Sequence, residues 1–304
     1  MTEQMAPLTW LGGNPGDGWY ELTERLVELL NGQESPIRLS LVAGGGEENL
    51  TKIQDGEAEL GMSIDVVVSS AINGGPPFDV PLSKLTVLGT GWSPLPYNLL
   101  RSPSAPDDLA AAITGGGLRI GAPPRDTTDE LMFQRVVAYY ATTYDEIADR
   151  GGRVLLEDYD ALIAALDAGE VDYVFGATTL PAPSIAKAAH GQRKAELAAL
   201  PEDLIDHLVR RYGCSRGVIP AGTYPGLHTT DLATCFVQTV FVVSADVPDT
   251  AAYEVTSLLL ANSADLPEVH PSLAGFNPYT AWRNVPAPVH PGAAHAYRDL
   301  GFMD

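Results

Sequence analysis

Residues 12–18, 43–49 and 122–128 each stand between a short apolar run and a helical period. The first two are glycine-rich, and the third carries Pro123, Pro124, Thr127 and Thr128. The first N–H groups of a helix lack intrahelical partners and carry a partial positive charge. Three such ends can therefore hold an anion with few basic side chains. Each loop taken singly also has a plain reading, because a strand-to-helix turn needs glycine and N-cap residues anyway. Arg125 is the basic side chain in these loops; it can clamp a carboxylate with two parallel hydrogen bonds or stand solvated. Asp65 follows an apolar run, where it can accept from a ligand amine or hydroxyl, or cap the next helix. Trp19, Tyr20, Trp92 and Tyr224 lie in or beside loops. Aromatic walls are common in small-molecule clefts, and for Trp19 and Tyr20 the alternative is packing of the first helix.

Other chemistries lack their motifs. There is no phosphate-binding P-loop, zinc-protease helix or C-x-x-C pair, and no nucleophile elbow or dinucleotide fingerprint is read. The six histidines are scattered, and His290 and His295 are too isolated a pair to imply a metal. No metal or organic cofactor is expected. Two cysteines, Cys214 and Cys235, allow one bridge at most and read better as two unpaired thiols. The 304 residues carry 39 acidic against 18 basic side chains, a net charge of −21, which argues against nucleic acid as a partner. No apolar run approaches the ~18 residues of a membrane span. The first four residues show neither a basic nor an apolar signal region. The expected location is extracytoplasmic if a signal has been removed, and cytoplasmic otherwise.

These loops need a scaffold, and the hydrophobic periods supply one. Strands are expected at 8–11, 37–42 and 60–65, with helices from Trp19 to Leu30 and over 47–54. Together these make a βαβαβ unit. Two further strand pieces are read at 86–88 and 97–101. The same grammar then restarts: strand 118–121, helix 129–140, strand 154–156, helix 159–166 and strand 171–175. A strand at 236–243 and a helix at 250–262 return the chain to its first part. The expectation is an α/β protein of two lobes, residues 1–96 with 237–304 and residues 97–236, hinged so that a ligand closes them.

The segment from Ile219 through Pro220, Gly222, Tyr224 and Pro225 to Gly226 resembles the signature of the TAXI-type solute receptors of TRAP transporters. Trp19 and Tyr20 with residues 26–31, the loop 43–50, residues 56–61 followed by Asp65, residues 181–183 and residues 290–293 match in the same order. The resemblance covers nearly the whole chain. It implies a type II periplasmic-binding-protein fold, a small carboxylate or amino acid held between lobes, and delivery to TRAP membrane subunits if the protein is exported. Asn14 and Gly46 stand where the family usually has Ser, and Gly18 stands for Thr. Of the Gly-Ser-Gly-Thr-like loop only Thr127 is kept. These departures imply a ligand of different shape or size.

The candidate ligand contacts are Asn14, Trp19, Tyr20, Gly46 and Asp65 in the first lobe with Trp92, and Arg125, Thr127, Thr178 and Tyr224 in the second. The leading expectation is a solute-binding protein for a small organic anion or amino acid. The alternative is a cytoplasmic enzyme, for example a lyase or cyclase, or a metabolite sensor on the same fold. In that case Asp65 and Asp126 are the acid–base candidates and Arg125 the anchor. A pure interaction module has only the acidic surface behind it.

Overall fold

A computed structural model describes residues 6–15 and 18–304. In chain order the first elements are β1 (Leu8–Leu11), α1 (Gly18–Asn31), β2 (Leu39–Val42), α2 (Glu48–Asp55), β3 (Leu60–Ile64), α3 (Asp65–Asn73) and β4 (Leu85–Arg101). Next come α4 (Leu109–Thr114), β5 (Arg119–Ala122), α5 (Thr128–Tyr139), α6 (Tyr144–Asp149), β6 (Arg153–Leu156), α7 (Tyr159–Ala168) and β7 (Tyr173–Ala177). Then follow α8 (Pro183–Lys187), β8 (Glu196–Ala198), α9 (Glu202–Tyr212), β9 (Ser215–Ile219) and β10 (Leu232–Ser244). The chain ends with α10 (Asp249–Ala261), α11 (Leu266–Val269) and α12 (Pro291–Asp299). The elements form two compact units, Met1–Pro94 with Gln238–Asp304 and Leu95–Val237. Strands β4 and β10 each run from one unit into the other.

In the first unit β1 lies between two parallel neighbours, with Trp10 opposite Leu41 of β2 and Leu60 of β3. β10 pairs antiparallel with β3, setting Phe241 opposite Met62. All five residues of β3 are buried, as expected for a strand covered on both faces. Helix α1 buries Leu22, Leu26 and Leu30, one stripe at i, i+4, i+8, with Thr23 and Val27 beside it. The stripe joins Leu8, Trp10 and Leu39 in one core. At its centre Trp10 meets Phe241 edge-on at 5.1 Å, and Trp92 stacks between Phe241 at 4.3 Å and Phe276 at 3.9 Å. Aromatic side chains bury roughly 150–250 Å² each, about 4–6 kcal/mol of transfer free energy per ring at ~25 cal/mol per Å².

In the second unit β5 pairs in parallel with β6 and with β7, and β7 pairs antiparallel with β4. β8 adds to β4, and β9 pairs with the first half of β10. Helices α4, α5, α6 and α7 each begin at a residue whose side chain accepts from the first turn: Asp108, Thr127, Thr143 and Asp158. Arg119 of β5 makes a two-pronged bond to Asp172, at 2.8 and 2.6 Å.

The structure differs from the sequence expectation in two ways. The pieces at 86–88 and 97–101 are one strand, β4, which runs on through Gly89, Gly91, Pro94 and Pro96. Those residues read as breakers. The strand survives because its neighbours accept hydrogen bonds elsewhere: Val87 N–H donates to Pro288 at 3.0 Å and Thr90 N–H to Ala281 at 2.8 Å. Helices α3, α4, α6, α8, α9, α11 and α12 and strands β8 and β9 stand where no element was expected. The signal for α9 was present, since acidic Glu202 and Asp203 open it, Leu204, Ile205 and Leu208 form its buried stripe, and Gly213 closes it at φ +82°.

Candidate functional site

Because β1, β2 and β3 are parallel, their carboxyl ends share one edge of the first unit's sheet, where ligands of α/β sheets bind. One buried side chain organises that edge. Asn49, near the start of α2, donates through Nδ2 to the carbonyl of Gly12 at 3.0 Å and of Met62 at 2.9 Å. Its Oδ1 accepts from Gly45 N–H at 2.8 Å. A single amide thus ties the ends of β1 and β3 to the loop after β2, using three of its four hydrogen-bonding positions. Gly44 must be glycine here, because a Cβ would collide with the Asn49 amide. Sequence reasoning placed Asn49 only inside a matching segment and gave it no role. Its signal was weak, one polar residue among Glu47, Glu48, Thr51 and Lys52.

Asp65 is the first residue of α3 and is partly buried. Its Oδ1 accepts from Val66 N–H at 2.9 Å and from Gln238 N–H, at the unit-1 end of β10, at 3.1 Å. Burial pushes its carboxyl up to about 6, against the smaller opposing pull of the backbone N–H groups. At neutral pH it is a carboxylate with little water around it, suited to accept from a ligand amine or hydroxyl. The residues that precede α2 and α3, Glu47 and Ile64, make no side-chain cap bond, but Asp65 itself takes the first-turn Val66 N–H of α3.

The remaining first-unit candidates fall as follows. Asn14 is exposed beside this edge; a Cβ on Gly45 would stand 3.4 Å from its Nδ2. Gly46 is buried at φ +59°, a left-handed conformation that explains glycine where the resemblance puts Ser. Trp19 is half-buried and packs against the core, and Tyr20 is half-buried on α1. Gly18 opens α1; Gly16 and Asp17 of the first loop lie outside the described residues. Trp92 needs correction as a ligand wall. It is fully buried between Phe241 and Phe276, and its Nε1 donates to Gly89 at 3.1 Å.

In the second unit Arg125 and Asp126 are exposed, and Asp126 adopts φ +67°. Thr127 caps α5: its Oγ1 donates its one proton to Pro124 at 2.7 Å and accepts from Glu130 N–H at 3.2 Å. That leaves Thr127 no proton for a ligand. Thr178 is half-buried just after β7. Tyr224, like Trp92, is corrected to a core residue; it is 1% exposed and its hydroxyl accepts from Ala182 N–H at 2.9 Å. Large rings near loops gain more from burial than from lining a cleft.

The motif reading needs one correction. Gly213, Ser215 and Gly217 do stand in G-x-S-x-G spacing. The context is reversed, however, since a nucleophile elbow lies between a strand and the following helix. Here Gly213 ends α9 and Ser215 begins β9. Both cysteines are buried, and no disulfide joins them. His290 is a buried cap of α12: Nδ1 accepts from Gly292 N–H at 3.1 Å, so Nε2 carries the proton toward the Val247 carbonyl at 3.1 Å. Burial holds it below the ordinary histidine range. Among the described residues no group of three or more His, Cys, Asp or Glu could hold a metal, and no helix is long and apolar enough to cross a membrane.

Two α/β units joined through two shared strands, with a polar strand-end site, define a two-lobe periplasmic-binding-protein-like fold. The chain belongs to the NMT1-like family, whose model matches residues 11–301, a family of periplasmic solute-binding proteins. No curated protein matches it. Among solved structures it is similar to MatC (Rpa3494) from Rhodopseudomonas palustris with bound malate, with TM-score 0.54 and 16% identity over 97% of this chain and 96% of that one. PhnD1 from Prochlorococcus marinus in complex with methylphosphonate gives TM-score 0.52 and 12% identity over 88% and 89%. XAC2383 from Xanthomonas citri bound to chloride ion gives 0.51 and 10% over 97% and 95%. At these identities the likeness is one of fold.

Proposed function

We propose that this protein captures a small organic anion or amino acid outside the cytoplasm and hands it to membrane subunits, of the TRAP type on the TAXI resemblance. The observation that carries the reading is the organised strand edge of the first unit. Asn49 fixes two loops there, and α2 begins with no side-chain cap on its N–H groups. Asp65 supplies an acceptor for a ligand amine or hydroxyl at the same edge. Asn14, Gly46 and the α1 residues Trp19 and Tyr20 are the neighbouring contacts in this reading. Arg125 and Thr178 are the proposed contacts of the second unit, with Arg125 as the carboxylate clamp. The family membership and the malate-bound and methylphosphonate-bound fold relatives support the class of ligand.

The test is native mass spectrometry of the protein with a pool of small acids and amino acids, the pool being assayed before and after. A one-to-one adduct recovered unchanged is the expected result and names the ligand. No adduct with any acid or amino acid sinks the proposal. One observation favours a second reading, an enzyme on this fold: a carboxyl near 6 suits acid–base work. Consumption of a pool component beyond the molar amount of protein, abolished in Asp65→Asn, is the result that reading requires.

A further inference from the structure

The first unit contains an open cavity of about 260 Å³ whose lining residues the reading above does not use. We propose that it binds an uncharged polyhydroxy compound of about the size of a five-carbon polyol. Thr90 and Gly91 of β4, Gln238 of β10, and Asn277 and Thr280 of the segment before α12 shape it. Among the described residues no charged side chain lines it.

Its polar groups are hydroxyls and carboxamides, each able to donate and to accept. An alcohol group has the same dual capacity, so several hydroxyls on one small molecule can satisfy the wall without burying a charge. Thr280 Oγ1 is held by the Asn277 carbonyl at 3.2 Å, and Asn277 Oδ1 accepts from Tyr279 N–H at 3.0 Å. The Thr90 hydroxyl and the Gln238 amide have no hydrogen-bond partner among the described residues. These two are the free recognition groups.

The walls are fixed. Thr90 N–H bonds the Ala281 carbonyl at 2.8 Å, and Phe276, next to Asn277, stacks on Trp92 at 3.9 Å. Gly91 lies at φ +74° with nothing within 4 Å of where a Cβ would stand, so it leaves the space beside it open. Charge excludes the obvious competitors. An anion finds no basic group in the wall. A cation finds no carboxylate in the wall itself.

The probe is ribitol, followed by saturation-transfer NMR and by calorimetric titration, with succinate as the anionic control. The expected result is saturable ribitol binding that succinate does not displace. Thr90→Val and Gln238→Leu keep the shape of each side chain and remove its hydrogen bonds. Each should weaken ribitol about threefold to tenfold, the worth of one neutral hydrogen bond, with circular dichroism and Tm unchanged. Absence of ribitol binding to the wild-type protein, an unchanged Kd in both variants, or displacement by succinate overturns the proposal. It does not rest on the organic-acid reading, and the two fail separately. Thr90→Val should leave acid capture intact, whereas Arg125→Ala should weaken acid capture and leave ribitol alone.

Discussion

The helices that follow the parallel strands start differently in the two units. In the second unit α5 and α7 open at Thr127 and Asp158, and α4 and α6 at Asp108 and Thr143, each with a side chain accepting from its first turn. Those helix ends are closed by their own sequence. In the first unit α2 opens at Glu47 with no side-chain cap and α3 at Ile64, where Asp65 inside the first turn takes the Val66 N–H, and order comes from Asn49 binding across three segments. A local cap stabilises one helix and uses up its donors. A long-range tie fixes several loops at once. The first arrangement suits a single helix of a scaffold, and the second suits an edge where several loops must be held in place.

The comparison breaks most severely at Asn49. Asn49→Ala leaves two buried carbonyls and one N–H without their partner, at about 1–3 kcal/mol for each unsatisfied group with partial relaxation. We expect a loss of about 3–5 kcal/mol in denaturant unfolding, together with loss of ligand binding under conditions where the variant is still folded. A loss below about 1 kcal/mol, the value of an ordinary cap, would make the tie no different from the caps of the second unit.

Asp65 comes next. Its carboxyl binds a proton up to about pH 6 in the folded protein, against an ordinary value of 3.8. Between those two values the folded state holds more proton than the unfolded one, so stability falls as pH rises through this window and stays lower above it. The displacement corresponds to about 3 kcal/mol at most. Asp65→Asn keeps an oxygen for Val66 and Gln238. It should therefore raise Tm at pH 7 and flatten the stability profile between pH 4 and 6. An unchanged profile would show that the carboxyl is not desolvated in solution.

Arg125→Ala sharpens the contrast from the other side. The exposed guanidinium serves no buried structure, so folding should be unaffected. Binding of an acidic ligand should weaken by about 1.5–3 kcal/mol, the range for charged hydrogen bonds. Calorimetry giving the wild-type Kd would remove Arg125 from the site. The smallest effects belong to the caps themselves. Thr127→Ala and Asp158→Ala should each cost about 1 kcal/mol of stability, and ligand affinity should stay the same in Asp158→Ala.

Much of the scaffold was legible because its signals are local and repeated. The stripe of Leu22, Leu26 and Leu30 gave α1, and the short apolar runs gave β1, β3, β5 and β7 to within a few residues. Asp65 stood out as a lone carboxyl at the end of an apolar run. The failures share a cause. Trp92 and Tyr224 were read as ligand walls because they stand near turns, yet sequence neighbourhood does not report burial; both rings are enclosed by residues distant in the chain, Phe241 and Phe276 for one and Ala182 for the other. β4 was split because glycine and proline were judged by local propensity, while its bonds to residues 281–290 were invisible.

The sequence by itself determined the α/β alternation, the acidic charge, the glycine-bearing turns and the longer amphipathic helices, since each depends on residues within a few positions of one another. Only the tertiary structure decided which turns are open and which are capped, that Asn49 holds three segments, that Asp65 meets Gln238, and that Thr90, Gln238 and Asn277 border one cavity. Apart from the caps and the Asn49–Gly45 bond, those facts join groups 13 to 187 positions apart. No periodicity encodes such pairs; they arise when buried polar groups must find partners in a packed interior.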